Sequence, residues 1–89
     1  MGMSNREQFL RSALAELLQV DQNELSPTTP FAELGVDSLL GLRLTREIQD
    51  QLQADVELEW LLDNPSIREL AEFLDAKFGG LDAPSLQVA

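Results

Sequence analysis

Leu34-Gly35-Val36-Asp37-Ser38-Leu39 is the stretch from which the rest of the chain is read. A glycine-bearing turn delivers one serine to the start of an amphipathic segment, and the aspartate before it is a residue type that caps helix N-termini. The chain contains no histidine and no cysteine. A serine with no base beside it is not activated as a nucleophile, so Ser38 reads as a place where a group is attached rather than as a catalyst.

From residue 37 to about 52 the apolar positions Leu40, Leu44, Ile48 and Leu52 recur every fourth residue, while Arg43, Glu47 and Asp50 point elsewhere. This predicts a helix carrying Ser38 in its first turn. Upstream, Ser4 precedes Glu7 at capping-box spacing, and Phe9, Leu10, Ala13, Leu14, Leu17 and Leu18 follow at helical intervals, predicting a first helix over 5–18. Between 19 and 36, Asp21, Asn23, Ser26, Pro27, Thr28, Thr29 and Pro30 break any regular pattern. So long a connection is expected to be pinned to the core by Val20, Leu25, Phe31 and Leu34.

Downstream, residues 56–62 admit a strand reading, but a solitary strand has no partner, so a loop leading into a short helix near 59–62 is expected. Pro65 ends that piece. Ser66 and Glu69 then form a second capping box, opening a last helix with Ile67, Leu70, Ala71, Leu74 and Phe78 inward. Lys77 suits its C-terminal dipole and Gly79 its left-handed cap. The expected fold is all-α, a small bundle of three main helices plus one short helix. Its domain covers 5–79, with 1–4 a disordered start or expression scar and 80–89 a linker stub.

Eighty-nine residues, 44% of them hydrophobic, make one domain able to bury about 60% of its unfolded surface. With 16 Asp and Glu against 6 Lys and Arg, the formal charge of −10 disfavours nucleic acid and anionic membrane as partners. No apolar run at the N-terminus is long enough for a signal peptide or a membrane span, so a cytoplasmic protein, monomeric as an isolated domain, is expected. Arg6 stands where a myristoylation signal wants Ser or Thr.

Other chemistries fail on particular residues. A hydrolase elbow needs glycines where Val36 and Leu40 stand, and a serine–lysine pair has only Lys77 available. The acidic run Asp21-Gln22-Asn23-Glu24 resembles the start of a calcium loop, yet Ser26 and Ala32 occupy the positions of its glycine and its bidentate glutamate. A helix-turn-helix DNA reader is opposed by the acidic charge. The chain is therefore expected to be a non-catalytic component with no metal site.

Around Leu34-Gly35-Val36-Asp37-Ser38-Leu39 the chain resembles the acyl carrier protein family, whose attachment motif is Asp-Ser-Leu at the head of the second helix. The likeness runs from about residue 9 to 78, and Asp63-Asn64-Pro65-Ser66-Ile67-Arg68-Glu69-Leu70-Ala71 looks most like carrier domains of modular type I polyketide synthases. The resemblance implies an acyl-carrier-like fold in which Ser38 receives a 4′-phosphopantetheine arm from coenzyme A, installed by a phosphopantetheinyl transferase. Acyl groups would ride on its thiol as thioesters, passed among ketosynthase, acyltransferase and modifying enzymes of polyketide biosynthesis. Asp37, by the same likeness, helps position metal-bound coenzyme A during the transfer, and Leu39 completes the motif.

Other residues keep two readings. Gly35 supplies backbone freedom. Gly41 is either a close-approach position for the arm or a partner, or a tolerated weak spot in the helix. Leu39 and Leu42 lie off the Leu40–Leu44–Ile48 stripe and form either an exposed patch or an enlarged core face. Trp60 is a core or loop anchor. Free-standing fatty-acid carriers have a strongly acidic second helix, whereas here Arg43 and Arg46 balance Glu47 and Asp50. Partner choice would lean on Leu39, Leu42, Arg43, Thr45 and Arg46. A peptidyl carrier, which usually has a second glycine where Val36 stands, and an unmodified helical interaction module remain as alternatives.

Overall fold

The computed structural model describes residues 4–80, so the readings of 1–4 as a disordered start or scar and of 80–89 as a linker lie outside the described residues except at Gly80 and at Ser4, which is the ordered N-cap of the first helix. Four α-helices run in order: α1 (Asn5–Leu18), α2 (Ser38–Leu52), α3 (Leu58–Asp63) and α4 (Ile67–Phe78). No strand occurs among the described residues, and α1 packs against both α4 and α2 while α3 lies on α2.

The capping predicted for α1 is present in full. Ser4 Oγ accepts the Glu7 amide at 3.1 Å, and Glu7 Oε1 accepts the Ser4 amide at 3.3 Å. At α4 the box is only half formed. Ser66 Oγ accepts the Glu69 amide at 3.2 Å, but the Glu69 carboxylate accepts from the Ser66 hydroxyl at 3.1 Å rather than from the backbone. The backbone at Ser66 is instead drawn into an isolated bridge with Pro30, and the next loop residue, Phe31, donates its amide to Pro65 O at 2.7 Å.

That bridge is how the long connection is held. Arg68 N donates to Pro27 O at 2.9 Å, so an N-terminal amide of α4 that has no intrahelical acceptor finds one in the loop. Leu25 and Phe31 are buried, and two short 3₁₀ turns, Gln22–Glu24 and Phe31–Leu34, order a segment whose sequence shows no regular pattern. Val20 departs from expectation, being 37% exposed. It closes the end of α1: Gln19 adopts a left-handed conformation (φ 59°, ψ 47°), its amide bonding Glu16 O while the Val20 amide bonds Ala15 O. These paired bonds form a Schellman ending built without glycine.

Leu10, Leu14, Leu44, Ile48, Ile67, Leu70 and Leu74 are fully buried and form the centre of the core. Phe78, expected inward, is 37% exposed. It borders Trp60, whose ring meets Phe73 edge-on at 5.2 Å and carries Lys77 Nζ at 5.4 Å from its centre. Gly79 differs too, since its φ of 88° is paired with a ψ of 161°. This is not the left-handed helical well but an extended region that in practice only glycine occupies.

Two buried charges tie the helices together. Arg6, 2% exposed, donates from Nε to Asp75 Oδ1 at 2.9 Å, from Nη2 to Gly79 O at 2.6 Å and from Nη1 to Gln51 Oε1 at 3.4 Å. One guanidinium thereby joins the start of α1, the end of α2 and the end of α4. Beside it, the buried Glu7 accepts from Arg68 Nε at 2.7 Å. Among the described residues no helix is long and apolar enough to cross a membrane.

Candidate functional site

Ser38 is the first residue of α2, and the segment before it fixes its direction. The Phe31–Leu34 turn ends at Gly35, whose φ of 98° strains any residue with a Cβ. Space is not the constraint there, because an added Cβ would come no closer than 3.9 Å to Leu18. Val36 then donates its amide to Phe31 O at 3.0 Å, fastening the turn to a buried ring. Asp37 leaves in extended geometry and caps α2, with Oδ1 accepting the Leu40 amide at 2.9 Å and its carbonyl the Gly41 amide at 2.8 Å.

The cap is therefore Asp37, and the Ser38 hydroxyl makes no hydrogen bond among the described residues. Ser38 is exposed. The positive end of the α2 dipole lies at this serine, a setting that favours a phosphodiester charge. No histidine or cysteine exists to activate the oxygen, and Lys77 sits over Trp60. Among the described residues no cluster of carboxylates could hold a metal ion by itself.

A groove of about 410 Å³ adjoins Ser38, lined by Phe31, Val36, Gly41, Leu58, Leu61 and Leu62 among others. Gly41 is a close-approach position, though for a helix of the chain itself. A Cβ there would stand 3.1 Å from Leu58 Cδ1 and 3.8 Å from Leu61 Cδ2. Leu39 and Leu42, 60% and 53% exposed, are an external patch and not an enlarged core face. Arg43 and Arg46 are exposed on the same side of α2. Thr45 is different. It is buried at 6%, and its hydroxyl donates to Gly41 O at 2.7 Å, so as a partner contact it offers little surface. Helical phase explains this, because Thr45 adjoins Leu44 and Ile48 on the inner face.

A family model described as a phosphopantetheine attachment site matches residues 8–74. The chain belongs to this family. Phosphopantetheine is accordingly its cofactor, and the exposed hydroxyl at a dipole-favoured helix start fits the group. The family member is 35% identical over 71 residues to a phenolphthiocerol/phthiocerol polyketide synthase of Mycobacterium tuberculosis, covering 80% of this chain and 4% of that protein. It is 41% identical over 63 residues to a non-reducing polyketide synthase of Penicillium herquei, covering 71% of this chain and 3% of the relative. The chain thus spans a small fraction of the curated relatives it matches. Among solved structures, a free-standing peptidyl carrier protein from Acinetobacter baumannii superposes with a TM-score of 0.78 at 26% identity, covering 81% of this chain and 90% of that one.

The clamp at Arg6 has no counterpart among the sequence expectations. Its partners lie 45 to 73 residues away in sequence, and no local pattern links them. The burial of Thr45 did have a signal, since it falls one residue after Leu44 and three before Ile48 on the core stripe.

Proposed function

We propose that the chain is the acyl carrier domain of a polyketide synthase, bearing thioester-bound intermediates on a 4′-phosphopantetheine arm joined to Ser38. The observation that carries this is the exposed, unbonded Ser38 hydroxyl at the first position of α2, within the segment the family model spans. The arm supplies a thiol that the cysteine-free chain lacks. The carrier's own residues orient the site and catalyse nothing. Asp37 Oδ1 holds the helix start while Oδ2, without a hydrogen bond among the described residues, is left for the metal-bound coenzyme A that a transferase presents. Activation of the hydroxyl falls to that transferase. Partners are then the transferase and, in turn, the ketosynthase, acyltransferase and modifying enzymes of a synthase.

Intact-mass measurement after incubation with coenzyme A and a promiscuous transferase tests this reading. The wild type gains one arm and Ser38→Ala gains none. An unchanged wild-type mass would return the chain to a plain interaction module. The likeness to a peptidyl carrier structure and to a nonribosomal peptide synthetase keeps peptidyl cargo as a second reading, against which stand Val36 and the predominance of polyketide synthase names among the relatives. Aminoacyl transfer from an adenylation domain onto the loaded arm would decide for it.

A further inference from the structure

The turn that delivers Ser38 is too short to hold itself. Phe31–Leu34 is a single 3₁₀ turn whose N-cap, Pro30, provides no side-chain hydrogen bond, and short 3₁₀ pieces have poor internal geometry. Gly35 follows at φ 98°, a residue type that by itself lets the chain leave in many directions. The Asp37 cap does not settle the direction either, because its bonds run to Leu40 and Gly41, within α2. What remains is Phe31. Its amide donates to Pro65 O at 2.7 Å, its carbonyl accepts the Val36 amide at 3.0 Å across Gly35, and the residue is 6% exposed in the wall of the groove beside Ser38. Just upstream, the Pro30–Ser66 bridge and the bond from the Arg68 amide to Pro27 O tie the same loop to the entrance of α4. One residue is thus bonded backward to the start of α4 and forward to the approach of Ser38.

We propose that Phe31 is a positioning residue for the Ser38 hydroxyl, its buried ring keying the turn into the bundle so that a transferase meets the serine in one orientation. The inference rests on the carrier reading and adds a residue to its site. Phe31 acts through the turn and takes no part in the chemistry. Its two backbone bonds fix distances, while the packed ring resists rotation of the turn about them, since a close-packed interior leaves a flat side chain few alternative settings. A reacting group displaced by about 1 Å can lose about a hundredfold in rate, so the smaller shift that follows a trimmed ring is readable in kcat. KM does not follow, because a change at a buried position leaves the surface that the transferase meets unaltered.

The test follows arm installation from coenzyme A by a promiscuous transferase, with the carrier concentration varied to separate kcat from KM. Phe31→Leu, which keeps the position apolar, should lower kcat about tenfold and leave KM within about twofold. Phe31→Tyr, which keeps the ring, should recover most of the rate. Ile48→Val trims the core farther along α2 and should leave kcat unchanged; an equal loss there would mean that Phe31 acts through stability alone, and overturns the inference. So does a Phe31→Leu kcat equal to that of wild type, or a loss confined to KM. Amide hydrogen exchange on the wild type needs neither a variant nor a transferase. The Phe31 and Val36 amides should be protected at least about tenfold over an unstructured chain, and lack of that protection rejects the inference even where Phe31→Leu fails to fold. A wild type that takes up no arm while both amides are protected rejects the carrier reading and the transfer role with it. A wild type that loads while Phe31→Leu loads equally fast rejects the positioning alone.

Discussion

Asp37 and Ser38 divide two tasks that a single capping serine would have to combine. Because the Asp37 carboxylate takes the Leu40 amide, the serine hydroxyl is spared from holding the helix. Ser38→Ala should therefore melt within about 0.5 kcal/mol of wild type, while Asp37→Ala should lose about 0.5 to 2 kcal/mol of stability by thermal or denaturant unfolding. Asp37→Asn separates capping from charge: asparagine caps as well as aspartate, so stability should hold while arm installation slows. Installation at the wild-type rate would leave the carboxylate with capping alone. Arg6 is the other residue with a disproportionate role. Arg6→Met strands the Gly79 carbonyl and an Asp75 carboxylate that remains 32% exposed, and should cost about 2 to 3 kcal/mol in unfolding free energy.

At the level of elements, the starts of α1, α2 and α4 were legible because their caps are local, read from residues three apart, whereas α3 begins at Leu58 after Glu57, which makes no side-chain cap. The helix ends were less so. Gln19 and Gln53 both adopt positive φ without the glycine or asparagine that signals such an ending. A left-handed non-glycine residue costs roughly 1 to 2 kcal/mol, and glycine gives back part of that through its more flexible unfolded state. Gln19→Gly should thus raise stability by about 0.5 to 1 kcal/mol, seen as a higher melting temperature. Gly41 poses the opposite case, since alanine gains about 1 kcal/mol of helix propensity but presses on Leu58, a side-chain tip that can yield. Gly41→Ala is expected to fall within about 1 kcal/mol of wild type by circular dichroism melting. A larger loss would mean that α3 cannot shift from α2.

For the whole molecule, the core is small enough that single residues decide folding. Leu44→Ala or Ile48→Ala removes a fully buried side chain and should cost about 2 to 5 kcal/mol, much of what so short a domain has to lose. Helical periodicity exposed this core in the sequence, and the Asp-Ser-Leu turn marked the helix start at which Ser38, not itself the cap, stands exposed. Contacts across the fold were hidden, because nothing near Arg6 announces Gln51, Asp75 or Gly79. The same clamp has a mechanical corollary. Gln51 lies thirteen residues along α2 from Ser38, so the guanidinium sits about 20 Å from that serine at the helix's far end. Ser4 caps the helix that begins beside Arg6 and the Gly79 carbonyl is bonded to that arginine, so both ends of the described residues stand at that pole, opposite the end of the molecule that presents Ser38.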